Sequence, residues 1–89
     1  MSRILLKGEE AALGTNTGAA NAFSSARLVR LVNTSNSNQV VTLVATVGGS
    51  VVGSFTLPSG SVAELEKEPL QGIFAGNTAV RGAAVGYTN

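Results

Sequence analysis

The sequence predicts an all-β fold, a small antiparallel β-sandwich or barrel of about six to seven short strands. Runs rich in Val, Leu, Thr and Ala recur at intervals of about ten residues, the spacing typical of such folds. Clusters of Gly, Asn, Ser and Pro separate the runs and supply turn chemistry. We expect one domain, with an edge strand and flexible loop over residues 1–25 and the sandwich core over residues 26–89.

The clearest strand signal is the stretch at residues 39–57, which is expected to form a central hairpin. Its two aliphatic, β-branched arms flank Gly48 and Gly49, a pair that can adopt the positive φ angles of a tight two-residue turn. The other face of the hairpin is expected to be half wet or to face a partner. It carries Val40, Thr42, Val44, Thr46, Ser50, Val52, Ser54 and Thr56. Alternation assigns one apolar face to Val41, Leu43, Ala45, Val47, Val51, Gly53, Phe55 and Leu57.

The chain before this hairpin predicts an edge strand, a loop and an interior strand. Residues 2–7 alternate weakly and carry flanking charges, which suit a short edge strand. Residues 11–13 form either a second short strand or a helical turn. Residues 14–22 lack periodicity and large side chains, which is typical of a flexible loop. Residues 23–33 have apolar side chains on both faces, as in a strand that is covered on both sides.

The chain after the hairpin predicts two strands joined by a crossing connection. Residues 61–68 alternate, with Ala63 and Leu65 inward and glutamates outward. Residues 68–77 contain apolar side chains at helical spacing, which allows a single helical turn at one end of the sandwich. Residues 78–88 form the last strand, whose small side chains allow the close approach of another layer or another chain.

Charge is scarce in this chain. Charged residues make up 12% of the sequence, against about 25% in an ordinary soluble domain, and hydrophobic residues make up 44%. Because a freely diffusing monomer usually carries more charge, the composition favours a surface covered by neighbours, as in a homo-oligomer. The alternative is a soluble domain whose surface relies on Ser, Thr and Asn.

The residue inventory argues against an enzyme and against a metal centre. The chain has no histidine and no cysteine, so a serine nucleophile would lack its usual base and zinc its usual ligands. The glutamates at positions 64, 66 and 68 project in parallel rather than converging across a cleft, as a glycosidase pair would. The glycine-rich loop at residues 14–22 lacks a P-loop lysine. We expect no catalytic residue, no cofactor and no bound metal.

Charge and hydropathy also bear on larger partners. The net charge of +1 gives no basis for direct nucleic-acid binding, which requires a clustered basic patch. No apolar run approaches the roughly 18 residues that a membrane-spanning helix needs. The first residues become charged too early for a signal peptide, which predicts synthesis in the cytoplasm.

Seven residues are candidate contacts with a partner. The first two lie on the predicted edge strand. The two arginines form either a solvated face or an interface pair, and the two glutamates belong to an acidic stripe that faces either solvent or a basic partner. The tyrosine either makes a contact or caps the core with its hydroxyl at the rim. The candidates are Ile4, Leu5, Arg27, Arg30, Glu64, Glu66 and Tyr87.

The order of four segments resembles the small virion structural proteins of tailed bacteriophages, of the type found in phages of marine bacteria and cyanobacteria. The segments are VRLVN at residues 29–33, VGSFTLP at 52–58, LEKEP at 65–69 and AVRGAAVGYTN at 79–89. The resemblance implies a structural component of the particle with a small β fold and no catalytic residues. Residues 70–74 are more apolar than the polar turn that follows the Lys-x-Pro unit in such proteins.

The resemblance and the composition together favour a capsid decoration or cement protein, located in the virion. Its partners would be the major capsid protein or other virion proteins. Two alternatives remain open, a neck, tail or fibre-associated virion adaptor and a free carbohydrate-binding or adhesion module. The last is disfavoured because such modules present exposed tryptophans or tyrosines, and this chain has one tyrosine and no tryptophan.

Overall fold

The structure, a computed structural model, describes the backbone of residues 3–88 and the side chains of residues 5–86. Within that range the chain forms eight strands and one short 3₁₀ turn, Thr17–Ala19. All strand pairs are antiparallel, and the strands lie in two sheets, so the predicted small β-sandwich is confirmed. The strands are β1 (Arg3–Leu6), β2 (Ala11–Ala12), β3 (Leu28–Asn33), β4 (Gln39–Val44), β5 (Val51–Leu57), β6 (Val62–Glu66), β7 (Gly72–Ala75) and β8 (Val80–Thr88).

The two sheets have a simple order. The larger sheet has five strands. Four of them lie in the order β1, β8, β3, β6, and the fifth, β2, lies on the same side of β8 as β1. β2 pairs with the beginning of β8 and β1 pairs with its end. The smaller sheet has the order β5, β4, β7. The β4–β5 connection is a hairpin within one sheet, whereas the connections on either side of it, and those that flank β7, cross between the sheets.

The hydrophobic core lies between the sheets and draws on five strands, β3, β4, β5, β7 and β8, and on the chain before β3. Leu13 and Phe23 belong to it, although residues 1–25 are expected from sequence to lie outside the sandwich core. Full burial of a Val, Leu, Ile or Phe side chain stabilises by about 1.5–3 kcal/mol, so this N-terminal contribution is substantial. The core consists of Leu13, Phe23, Val29, Leu31, Val41, Leu57, Ile73, Ala75, Val80 and Ala84.

β3 is an interior strand between β8 and β6, as the sequence predicts. Every second side chain is buried, and the alternate ones, Leu28, Arg30 and Val32, remain half exposed. Full cover on both faces is therefore wrong within the described chain, since the outer face of β3 stays partly open to solvent. Leu28 and Val32, the apolar residues on the outer face of β3, are therefore half exposed and not buried.

One polar side chain is fully buried where the chain crosses between the sheets. The amide nitrogen of Asn33 donates to the carbonyl oxygens of Ser37 (2.9 Å) and Leu57 (2.8 Å). Its oxygen accepts from the backbone N–H (2.9 Å) and the hydroxyl (2.7 Å) of Ser35. A buried amide is tolerated when its polar atoms are hydrogen-bonded, and here it ties the end of β3 to the end of β5.

The central hairpin closes through a longer turn than the expected Gly48-Gly49 pair. The N–H of Ala45 donates to the carbonyl of Ser50, and the N–H of Gly49 donates to the carbonyl of Thr46, both at 2.8 Å. Gly48 has a φ of 82°, so one glycine rather than two takes a left-handed position. A glycine with positive φ at the third position is the signature of a type II turn.

The pairing of β4 with β5 also contains one irregularity that changes the predicted faces. Leu43 lies opposite Gly53, but Val44 lies opposite Val51, so Val52 is an extra residue in β5. Because the side-chain period of a strand is two residues, such an insertion moves the following side chains to the other face. Val51, which alternation assigns to the apolar face, therefore lies opposite Val44 and is 62% exposed. Val44 keeps its place in the alternation of β4 and is fully buried on the face expected to be half wet, where it and Ala20 both lie beside Gly72.

Two segments whose conformation the sequence leaves open or misassigns are strands. Residues 11–13 contain β2 rather than a helical turn. The connection at residues 68–77 contains β7 rather than the helical turn that the apolar spacing allows. Ile73 pairs with Leu43 of β4, and this long-range pairing overrides the local spacing.

The glycine-rich loop at residues 14–22, expected from sequence to be flexible, lies along the outer edge of β7. Asn21 and Ile73 exchange two backbone hydrogen bonds, of 2.9 and 3.0 Å. The carbonyl of Gly14 accepts from the N–H of Ala75 at 3.0 Å. The loop therefore occupies the edge of β7 that does not pair with β4.

Candidate assembly surface

The two sheets differ in charge. β4, β5 and β7 contain no charged residue, and the sequence contains none between Arg30 and Glu64. The outer face of this smaller sheet exposes Val40 and Val52 beside threonine and serine side chains. The charged residues within strands all belong to the larger sheet: Arg3, Arg30, Glu64, Glu66 and Arg81.

β5 is the free edge of this uncharged sheet. It pairs with β4 on one side, and no strand among residues 3–88 pairs with its other side. Val51 and Val52 are 62% and 56% exposed, which is unusual for large aliphatic residues in a strand. A β-carbon added to Gly53 would meet nothing within 4 Å, so the face that Gly53 shares with Phe55 is open at this position.

The register shows which backbone groups of β5 point away from the sheet. The N–H of Gly76 donates to the carbonyl of Val40 (3.1 Å), so the backbone groups of Val40 face β7. Successive residues of a strand direct their N–H and C=O groups to opposite sides, so those of Val41 face β5 and its partner Phe55. The residues on either side of Phe55 therefore direct their N–H and C=O groups to solvent. They are Ser54 and Thr56.

The other sheet edges carry the features that normally discourage stray pairing. The N–H of Asn33 donates to the carbonyl of Ser61, so the alternate residues of β6 face solvent along its edge. Two of the three such residues in β6 are glutamates. β1 is four residues long, begins with Arg3 and is followed in sequence by Lys7. The edge of β7 is occupied by the glycine-rich loop. Among the described edges, β5 alone is long, uncharged and uncovered.

The structure gathers three of the sequence-predicted contact residues on the outer face of the larger sheet. Arg30 lies opposite Glu64 of β6, and Glu66 lies opposite Leu28. Both glutamates are exposed, and Arg30 is half exposed. This face therefore carries charges of both signs in adjacent strands, so it presents no acidic stripe isolated from cations.

The remaining predicted contacts are more scattered. Arg27 forms an exposed ion pair with Glu68 (3.7 Å), and Leu5 is exposed on β1. Ile4 and Tyr87 lie opposite each other in the β1–β8 register, and their side chains lie outside the described residues. Leu6, which the sequence does not single out, is 69% exposed.

Lys67 occupies a drier setting than the charged surroundings suggest. The residue is buried, and its Nζ donates to the carbonyl oxygens of Glu68 and Pro69, both at 3.3 Å. Burial lowers the pKa of this ammonium group, because removing it from water disfavours the charged form. Its contacts are to the backbone of its own segment, which is a structural role.

The described surface has shallow clefts. An open groove of about 500 Å³ is lined by Lys7, Ser24, Ser25 and Arg27 beside the end of β8. Its wall is a left-handed turn in which residues 23–25 have φ angles of 52°, 55° and 62°. Among the described residues no group of three or more Asp, Glu, His or Cys side chains could hold a metal ion.

The free edge of β5 is not among the contacts predicted from sequence, because those are chosen by side-chain type and this edge consists of backbone groups. The sequence signal for it is the long charge-free interval between Arg30 and Glu64, which contains β4 and β5 entire. No helix within residues 3–88 has the length and apolar character needed to cross a bilayer. No protein-family model, curated protein or solved structure matches the chain.

Proposed function

We propose that this chain is a structural protein of a phage virion, a decoration or cement protein that binds across capsomers on the outside of the head. The observation that carries the proposal is the segregation of charge, which leaves one whole sheet uncharged and its β5 edge uncovered. The resemblance of four segments to small phage virion proteins supplies the setting. Neither the charge segregation nor the resemblance implies catalysis.

The chemistry of the surface fits protein partners of the same kind. An exposed sheet edge binds an extended segment through main-chain hydrogen bonds, and adjacent apolar side chains add burial. Here Ser54 and Thr56 provide the main-chain groups, and Val40 and Val52 provide exposed apolar area beside them. The major capsid protein and other virion proteins are the proposed partners.

The mechanism is mechanical. Each copy makes a modest contact, and particle symmetry repeats that contact many times, so weak single interactions add up to a firm hold on the shell. A small domain without catalytic demands suits this role, because the contact must persist rather than turn over. The charged sheet faces away from the apolar contact and keeps the particle surface hydrated.

The copy number of the chain in purified virions tests the proposal. Quantitative mass spectrometry of particles from the phage that encodes the chain should find roughly hundreds of copies per virion, as icosahedral repetition requires. About a dozen copies would instead assign the chain to the neck, tail or fibres. Its absence from purified virions would contradict a virion role altogether.

A further inference from the structure

The free edge of β5 has two well-defined ends. At one end, Val51 and Val52 together oppose Val44, and such a bulge interrupts the regular ladder. At the other end, Pro58 follows the strand directly and has no N–H to donate. Between these ends, the residues that face solvent along the edge are Ser54 and Thr56. They offer two N–H groups and two C=O groups.

These four groups are complementary to themselves. If two β5 strands meet antiparallel about a two-fold axis at Phe55, Ser54 of each copy lies opposite Thr56 of the other. Opposed residues of this kind exchange both N–H···O bonds, so four hydrogen bonds satisfy the free backbone groups of Ser54 and Thr56 in both copies. In the same register each bulge meets the proline of the other copy. The ladder therefore ends where neither strand can continue it.

Phe55 lies at the centre of that register. Its side chain packs against the core but is only partly buried, because β5 is the last strand of its sheet. Residues at a non-hydrogen-bonded position of an antiparallel pair have Cα atoms about 4.5 Å apart, and aromatic pairs there are favourable. Each Phe55 would thus cover the exposed part of the other.

The charges of the chain favour a copy of β5 over the chain's other edges. Edge residues of β6 include Glu64 and Glu66, and β1 begins with Arg3, so neither edge is matched to an uncharged strand. β5 meets an edge of equal length and zero charge in its own copy. Isologous pairing of this kind closes at two subunits and leaves no further β5 edge.

We infer that the β5 edge binds the β5 edge of a second copy of this chain, which joins the two smaller sheets into one continuous six-stranded sheet. The inference goes beyond the proposed virion role and does not depend on it, since pairing is a property of the isolated chain. A virion protein that binds the same edge in the particle would displace the second copy. A contact of one short strand is small for a protein interface, so the dimer is expected to be weak and to form between micromolar and millimolar concentrations.

Sedimentation of the purified chain over that concentration range tests the inference. The wild-type chain should convert from monomer to dimer, and Ser54→Lys should weaken dimerisation at least about tenfold, because a lysine on an edge strand opposes pairing. Thr56→Pro removes one donor from each edge while sparing the bonds to β4, and it should have the same effect. Val62→Lys is the matched control, because Val62 is an exposed, solvent-facing residue on the edge of β6. It should dimerise as the wild type does.

Amide hydrogen exchange of the wild-type chain keeps the test independent of how the variants fold. The amides of Ser54 and Thr56 should become protected as the concentration rises, while the edge amides of β6 should not. A chain that stays monomeric at millimolar concentration would overturn the inference. So would a dimer that survives in folded Ser54→Lys, or one that Val62→Lys weakens equally.

Discussion

At the residue scale, the packing of this small sandwich depends on a few positions where neighbouring side chains leave no room for a β-carbon. Gly82 of β8 is one of them. A β-carbon built there would lie 2.8 Å from Cζ of Phe23 and 2.9 Å from Cδ2 of Leu31. The small residues of the last strand are expected from sequence to admit another layer or another chain. At Gly82 the layer is the chain's own Phe23, which reaches it from the left-handed turn.

We therefore expect Gly82→Ala to lower the free energy of unfolding by about 1–3 kcal/mol, the usual cost of overpacking a core. Urea unfolding followed by circular dichroism measures it. Gly53→Ala is the control, since its added methyl group meets nothing within 4 Å and should leave stability unchanged or slightly higher. Equal stability of the two variants would show that Phe23 does not pack on Gly82.

The buried lysine gives a prediction about pH. Because burial lowers the pKa of Lys67, the unfolded chain keeps this proton to a higher pH than the folded chain does. Between the two pKa values the unfolded state binds more protons, so stability should rise as pH increases towards the ordinary lysine pKa of about 10.4. The free energy of unfolding of the wild type relative to Lys67→Met should increase from pH 7 to pH 10. A difference that is constant with pH would mean that the pKa is not lowered.

At the scale of elements, the sequence predicts strands well where β-branched residues run together. It fails where the same residue pattern is compatible with two backbone conformations. The arms of the central hairpin are of the first kind. Its turn is of the second, because Gly48 and Gly49 fit both a two-residue turn and the observed four-residue turn. The extra residue in β5 is equally invisible, since Val51 and Val52 have the same strand preference.

Tertiary pairing explains the remaining differences between the elements expected and observed. The apolar residues of 70–74 have helical spacing, yet the pairing of β7 with β4 decides their conformation. The glycine-rich loop has no local order signal, because its hydrogen-bond partners lie on β7 and on the β4–β5 turn. Thr17 shows this, since its hydroxyl donates to the carbonyl of Gly49 at 2.9 Å.

The attachment of this loop predicts a pattern of amide exchange. Asn21 and Ile73 bond to each other's carbonyl, so their amides should be strongly protected. Gly18, which lies in the exposed part of the 3₁₀ turn, should exchange rapidly. Two-dimensional NMR of the chain transferred into D₂O provides the comparison. Rapid exchange at both Asn21 and Ile73 would support the flexible loop expected from sequence.

At the scale of the whole molecule, the sequence shows a long interval without charged residues, but only the topology shows that its strands belong to one sheet. The interval between Arg30 and Glu64 supplies β4 and β5, and β7 joins them after two crossings between the sheets. Low charge predicts a covered surface, and the fold places the uncharged strands together in one sheet with one free edge. The candidate contacts chosen by side-chain type fall mainly on the charged sheet, because main-chain groups at an edge have no signature in residue type.

Hydrogen exchange of the chain in intact virions, compared with the free chain at low concentration, tests the central claim most directly. The account predicts that peptides covering Val51–Leu57 gain protection in the particle, because the uncharged edge is occupied there. Peptides covering Val62–Glu66 should exchange alike in both states. Protection confined to Val62–Glu66, with Val51–Leu57 unchanged, would contradict the account.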